Sequence, residues 1–236
     1  MSLVYETIRS SRRKTIGLQV KRGKIVVRAP SFLSNTEIDS FVRQKSAWLE
    51  SKLRIQQSNI AEHSCNFATG SFIWVKGERK KLRVSLAEKV GVRDESARLD
   101  VMLSSRFLST SDQNSAQLRA KVKKHIESWF TQKAEEYLSS RLPELIEQTG
   151  LLPNSYKVRK YKARWGSCNN RGELSFNSLL LMVPPWVFDY VIIHELCHLK
   201  YPNHSKNFWQ LVALYCPYYG EAKQWLKAHQ YQLVWQ

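Results

Sequence analysis

Ile16, Leu18 and Val20 alternate with polar neighbours, and so do Ile25 and Val27. Side chains two apart share one face of a strand, so each run predicts a half-buried strand. Lys21-Arg22-Gly23 lies between them, with Gly23 free to take positive φ, and the pair predicts a hairpin that ends at Pro30. The period then changes. Ile38, Phe41, Val42, Trp48, Leu49 and Leu53 recur at helical intervals, and Ser34 and Glu37 have capping-box spacing, so a helix is expected here. From Ser71 to Leu103 the runs SFIWVKG, KKLRVSL, VGVR and ARLDVML, separated by Gly or charge, predict a β-meander.

A polar stretch, RFLSTSDQNSAQ, reads as a linker or helix entry. A long amphipathic helix is expected over 115–140, with Leu118, Val122, Ile126, Trp129, Phe130 and Leu138 inward. Pro143 then restarts a short helix that ends near Gly150. SYKVRKYKARWGSC and GELSFN read as two strands around a turn at NNRG. PPWVFDYVIIHELCHLK reads as a helix starting at its prolines, and SKNFWQLVALYC and GEAKQWLKAHQYQ as two more. The pattern gives an α+β protein: a β-rich N-terminal region with one helix over 1–110, then a catalytic domain over 111–236.

With 236 residues, 43% of them apolar, and eight Trp, the chain can bury a real core, and disorder is not expected. No apolar run approaches the ~18 residues of a membrane span, so no membrane partner is expected. The N-terminus lacks the apolar core of a secretory signal. Cys65, Cys168, Cys197 and Cys216 show no disulfide-framework spacing, so reduced thiols in a cytoplasmic protein are expected.

The formal charge of +17 changes the picture, because it is uneven: about +8 in 1–60, +3 in 61–120, +5 in 121–180 and +1 in 181–236. The excess lies outside the histidine-rich segment. It suits a polyanionic partner or substrate, such as nucleic acid met through the N-terminal half, or nucleotide phosphates. A solvated basic surface explains it equally well.

The candidate chemistry is in HELCHLKYPNH, residues 194–204. Residues four apart lie on one helix face, so His194 and His198 can offer ring nitrogens to one ion. Glu195 lies about 100° round the helix, near the site without being a ligand, which suits a carboxylate that takes a proton from the attacking water. Pro202 pushes Tyr201 from helical geometry, and Ser205 can cap a following helix. His204 then folds back as a third ligand. Glu221, 23 residues after His198, and Cys197, inside the helix, are the competing ligands, ranked second and third. HExxH alone can arise by chance, but two histidines and a glutamate continuing so apolar a helix need a reason.

Taken together, RWGSC, GELSFN, PPWVFDYVIIHELCHL and NHSKNFW resemble the YgjP-like metal-dependent hydrolases, a metallopeptidase family, and more distantly the SprT-like and Wss1-like proteases. The resemblance reaches softly into the N-terminal IRSSRRKTIGLQVKRGKIVVRAP and covers nearly the whole chain. It implies a zincin-like catalytic domain, one zinc ion or another divalent transition metal on His194, His198 and His204, and Glu195 as general base. The His194-to-His204 spacing equals that of metzincins, but Tyr201 stands where they have glycine. Some members of the family carry a nucleotide assignment, hydrolysis of UTP to UMP and pyrophosphate.

Lys157, Arg159, Lys160, Lys162 and Arg164 precede this motif. Read as one strand, they put Arg159, Tyr161 and Ala163 on one face and Lys160, Lys162 and Arg164 on the other. Arg164, beside Trp165-Gly166-Ser167, is the candidate electrophile at the metal. Gly166 permits close backbone approach, and Trp165 reads as core. Asn177 either orients a ligand or shapes a turn. Tyr201 reads as packing more readily than as an oxyanion donor, and His63, His125 and His229 as surface.

Three functions follow. A peptide carbonyl attacked by water gives a metallopeptidase, with GELSF as an edge strand for an extended peptide. A phosphate attacked at the same site gives a nucleotide pyrophosphohydrolase. A protease acting beside nucleic acid is the third.

Overall fold

The computed structural model describes residues 3–21, 23–63, 65–104, 116–161, 164–230, 232–233 and 235, with side chains for all of these but 21 and 59–63. The chain forms two compact units, Met1–Ser64 and Cys65–Gln236. The division expected near residue 110 falls within 105–115, outside the described residues. The sheet before that stretch and the helices after it share one core.

In the first unit, β2 (Gly17–Lys21) and β3 (Lys24–Pro30) form the expected antiparallel hairpin, and Gly23 has φ +70°. A further strand, β1 (Tyr5–Ser10), runs parallel to β3 on its other side, giving the order β1-β3-β2. Its burial pattern has no clean alternation, so periodicity did not reveal it. Ile25, Val27 and Ala29 turn from β3 into a core with Ile38, Val42 and Leu49. The helix expected there is two: α1 (Asn35–Gln44) and α2 (Ser46–His63), parted at Lys45. The Ser34–Glu37 capping box forms in full. From α2, the Gln56 amide donates to Val20 O (2.7 Å) and accepts from Gly23 N (3.1 Å), clasping the hairpin turn.

The second unit opens with β4 (Phe72–Val75), β5 (Glu78–Leu86), β6 (Gly91–Asp94) and β7 (Arg98–Leu103). Their order is β4-β5-β7-β6, and β5 pairs with β7 in parallel, so the expected meander is two hairpins joined by a parallel ladder. Helix α3 (Ala116–Thr149) runs straight through Pro143. Proline forfeits one backbone hydrogen bond; here Leu138, Leu142 and Leu145 lie buried around it and keep the helix on the core. The inward positions Val122, Ile126, Trp129, Phe130 and Leu138 are buried as their spacing predicts, and Leu118 packs against them.

The third sheet contains β8 (Ser155–Arg159), β9 (Gly166–Cys168) and β10 (Glu173–Asn177), in the order β8-β10-β9. The strand expected across SYKVRKYKARWGSC stops after Arg159, so no strand puts Lys160 and Arg164 on a common face. Lys162 and Ala163 lie outside the described residues. GELSF is the central strand here, not an edge; the edges are β8 and β9.

A short 3-10 turn, Ser178–Met182, leads into α4 (Pro185–Cys197), and α5 (Lys206–Tyr215) and α6 (Tyr219–His229) follow. The β4–β5 turn fixes the start of α4. Lys76 N and Gly77 N donate to Leu181 O (2.6 Å) and Met182 O (2.9 Å). Gly77 sits at φ +85°, where a β-carbon would meet Pro184 Cγ at 2.5 Å. Further along α4, Asp189 accepts from Tyr137 Oη (2.7 Å) and Arg141 Nε (2.9 Å), tying the buried helix to α3. No helix among the described residues is long and apolar enough to cross a membrane.

Candidate metal centre

Helix α4 is buried from Val187 onward, where Val187, Phe188, Val191, Ile192, Ile193 and Leu196 cover most of its circumference. Its C-terminal end carries His194 and His198. Ser205 caps α5 by accepting from Phe208 N, and His204 stands just before that cap. The turn at 201–204 therefore folds His204 back over α4, as its spacing predicts. His194, His198 and His204 each offer a ligand atom, all within 4.8 Å of one another. His204 Nε2 and His194 Nε2 lie 3.1 Å apart.

These residues fit a metal ion. At the usual Zn–N distance, two ligands of a tetrahedral ion lie ~3.3 Å apart, close to the His194–His204 separation. His198 Nδ1 faces Tyr201 O at 3.0 Å. A carbonyl only accepts, so Nδ1 carries the proton and Nε2 keeps a free lone pair. Burial pushes the His194 pKa down to about 3, helped by His198, His204 and Lys223, so its imidazole stays neutral. Its Nδ1 is buried without a hydrogen-bond partner among the described residues. His198 is shifted down too, again chiefly by burial.

Beneath the three imidazoles lies Phe208, fully buried, its ring 4.9, 4.5 and 4.9 Å from those of His194, His198 and His204. Trp209 stacks on His204 at 5.6 Å and 21°, and Tyr219 stacks on the Trp209 ring. Lys223 Nζ stands 4.1 Å over the Trp209 ring. Sequence reasoning missed this floor. Its signal was present: a cap at Ser205 puts residue 208 in the first turn, directly behind His204.

Glu195 is 5% exposed. Burial pushes its pKa up to about 8, with Arg164 pulling it partly back. Arg164 is exposed, its Cζ 5.6 Å from the Tyr161 ring centre. Asn177 shapes the turn that carries it: Nδ2 donates to Tyr161 O (3.1 Å) and Arg164 O (2.9 Å), and Oδ1 accepts from Leu179 N (3.1 Å). At 3% exposure Asn177 is a buried clasp of that turn.

The competing ligands lie elsewhere. Glu221 is exposed and Cys197 fully buried, and neither belongs to the histidine cluster. Burial pushes the Cys197 thiol up to about 12, with Cys216 adding to the shift. Tyr201 serves through its carbonyl while its side chain packs on the core, as does Trp165. His229 is less of a surface residue than expected: its ring stacks on Trp225 at 4.0 Å and its Nδ1 faces Trp225 O. His125 is half-buried, and the side chain of His63 lies outside the described residues.

A buried helix that ends in HExxH, with a third histidine folded back over it, is the build of a metal-dependent hydrolase. The family described as YgjP-like, metallopeptidase domain matches residues 14–229, and the chain belongs to that family. None of the curated proteins and none of the solved structures matches it. Membership makes the protein a metal-dependent hydrolase and implies a divalent metal.

Proposed function

We propose that the protein is a metallopeptidase, with His194, His198 and His204 holding one divalent ion, zinc first among those that imidazoles accept, and Glu195 acting as general base. The carrying observation is the convergence of three ring nitrogens next to a glutamate whose burial keeps it near neutral-pH titration. A bound ion of this type supplies Lewis acidity and brings the pKa of water to about 7. The chain supplies the rest. Glu195 takes the proton of the attacking water and returns it to the leaving amine. Arg164, a cation whose charge bears on Glu195, offsets the charge that develops on the carbonyl oxygen. Strand β9 has no pairing partner on its outer side among the described residues, so an extended peptide can add there by backbone hydrogen bonds.

The exposed guanidinium of Arg164 also favours a second reading, a nucleoside triphosphate such as UTP cleaved to the monophosphate and pyrophosphate. One experiment separates the two. Metal-loaded protein and Glu195→Gln are incubated with an unfolded-protein panel and a nucleotide panel. Peptide cleavage that Glu195→Gln abolishes is the expected result. UTP turnover lost in that variant, with no peptide cleavage, would overturn the peptidase reading.

A further inference from the structure

Gly166 occupies a place where a strand would ordinarily have a side chain. It pairs with Phe176 in the ladder between β9 and β10, and its φ is not positive, so the backbone does not require glycine. Glycine loses more conformational freedom on folding than any other residue and brings no side chain to pack, so another cause is needed. Space is that cause. A β-carbon at 166 would stand 2.5 Å from Glu195 Oε1, 2.6 Å from Cγ and 2.8 Å from Cδ. Three atoms of one side chain fill the missing methyl's volume. Glu195 is 5% exposed, so it has little open space to retreat into. Gly77 makes a useful contrast, since its positive φ and its contact with Pro184 both demand glycine for the fold. At Gly166 the three nearest atoms all belong to the Glu195 side chain.

We infer that Gly166 is a positioning residue for Glu195: the bare backbone of β9 is the surface against which that carboxylate is held in register with the histidines. This rests, for its effect on rate, on Glu195 being the base. The reaction tolerates little misplacement, because an error of about 1 Å can cost ~100-fold. A methyl group at 166 meets the Glu195 side chain first, since the three nearest atoms all belong to it, and so displaces the carboxylate.

The test is a pair of double-mutant cycles. In metal-loaded protein acting on the peptide panel, Gly166→Ala should lower kcat about 10- to 100-fold with KM little changed and metal still bound. In a Glu195→Ala background, which removes Cγ, Cδ and Oε1 together, the same substitution should lower the residual turnover less than about threefold. The second cycle reads thermal stability alone. Gly166→Ala should lower the melting temperature of the otherwise native chain by several degrees, or abolish its folding, yet be tolerated in Glu195→Ala. Equal losses of stability in both backgrounds would overturn the inference. Full activity of Glu195→Gln would instead sink the general-base reading and leave the packing result standing.

Discussion

The helix end HELCH and the segment RWGSC, whose last three residues form β9, meet at one site, yet they yield to different reasoning. Within α4 the partners are four residues apart, and helix geometry alone puts His194 beside His198. Between α4 and β9 the partners are Gly166 and Glu195, 29 residues apart in sequence (195 − 166), and only the fold brings a missing side chain against a carboxylate. A motif confined to one element shows its chemistry in its spacing. A motif divided between elements shows only that something small is needed.

Removing the charge on the strand side should have the largest effect. Arg164→Ala is expected to lower kcat by ~10- to 100-fold while the protein keeps its metal, and Arg164→Lys to recover part of the loss. Unchanged kcat in Arg164→Ala would take the strand side out of the chemistry and leave the helix alone.

The next effect concerns the anchorage of α4. Asp189 is 7% exposed and accepts from Tyr137 and Arg141. Asp189→Ala leaves the Tyr137 hydroxyl only its longer bond to Pro185 O (3.2 Å) and frees Arg141, and should cost about 2 kcal/mol in denaturant unfolding. Tyr137→Phe should cost less, since Arg141 still meets the carboxylate.

A smaller effect follows from opposed titrations in the metal-free chain. The His194 pKa lies below its ordinary value, so this group withdraws stability as pH falls through about 6.5 toward 3. The Glu195 pKa lies above its ordinary value, so ionising the buried carboxyl withdraws stability as pH rises from about 4.5 to 8. Glu195→Gln should therefore raise the melting temperature of metal-free protein near pH 8 and leave it nearly unchanged near pH 5. The same gain at both values would show that burial does not raise the Glu195 pKa.

The smallest effect is a labelling order. Cys168 on β9 is half-buried, whereas Cys197 and Cys216 are fully buried, with thiols pushed up by burial to about 12 and about 11. A thiol reagent at neutral pH should modify Cys168 first. Modification of Cys197 ahead of it would mean that α4 opens more readily than β9.

Much of the fold was legible where periodicity is local. The β2–β3 hairpin, the Ser34 cap and the buried face of α3 all stand where spacing put them. What escaped was pairing between distant segments. Strand β1 carries no clean alternation, and its parallel pairing with β3 joins segments that spacing does not connect. The parallel β5–β7 ladder cannot be told from a meander by strand content. Pro143 predicted a break, and burial of its leucine neighbours outweighed the lost hydrogen bond. At the site, the histidine cluster was legible because α4 and the Ser205 cap are local. The Phe208–Trp209 floor and the Asn177 clasp were not, since each depends on contacts made between elements.

The central claim is that three histidines hold the ion and Glu195 does not. Zinc titration of the metal-free chain tests it directly, with His204→Ala and Glu195→Gln measured beside the native sequence. One ion per chain is expected, with an affinity at least ~100-fold weaker in His204→Ala, and near-native affinity with no turnover in Glu195→Gln. Native affinity in His204→Ala, or loss of the ion in Glu195→Gln, would contradict it.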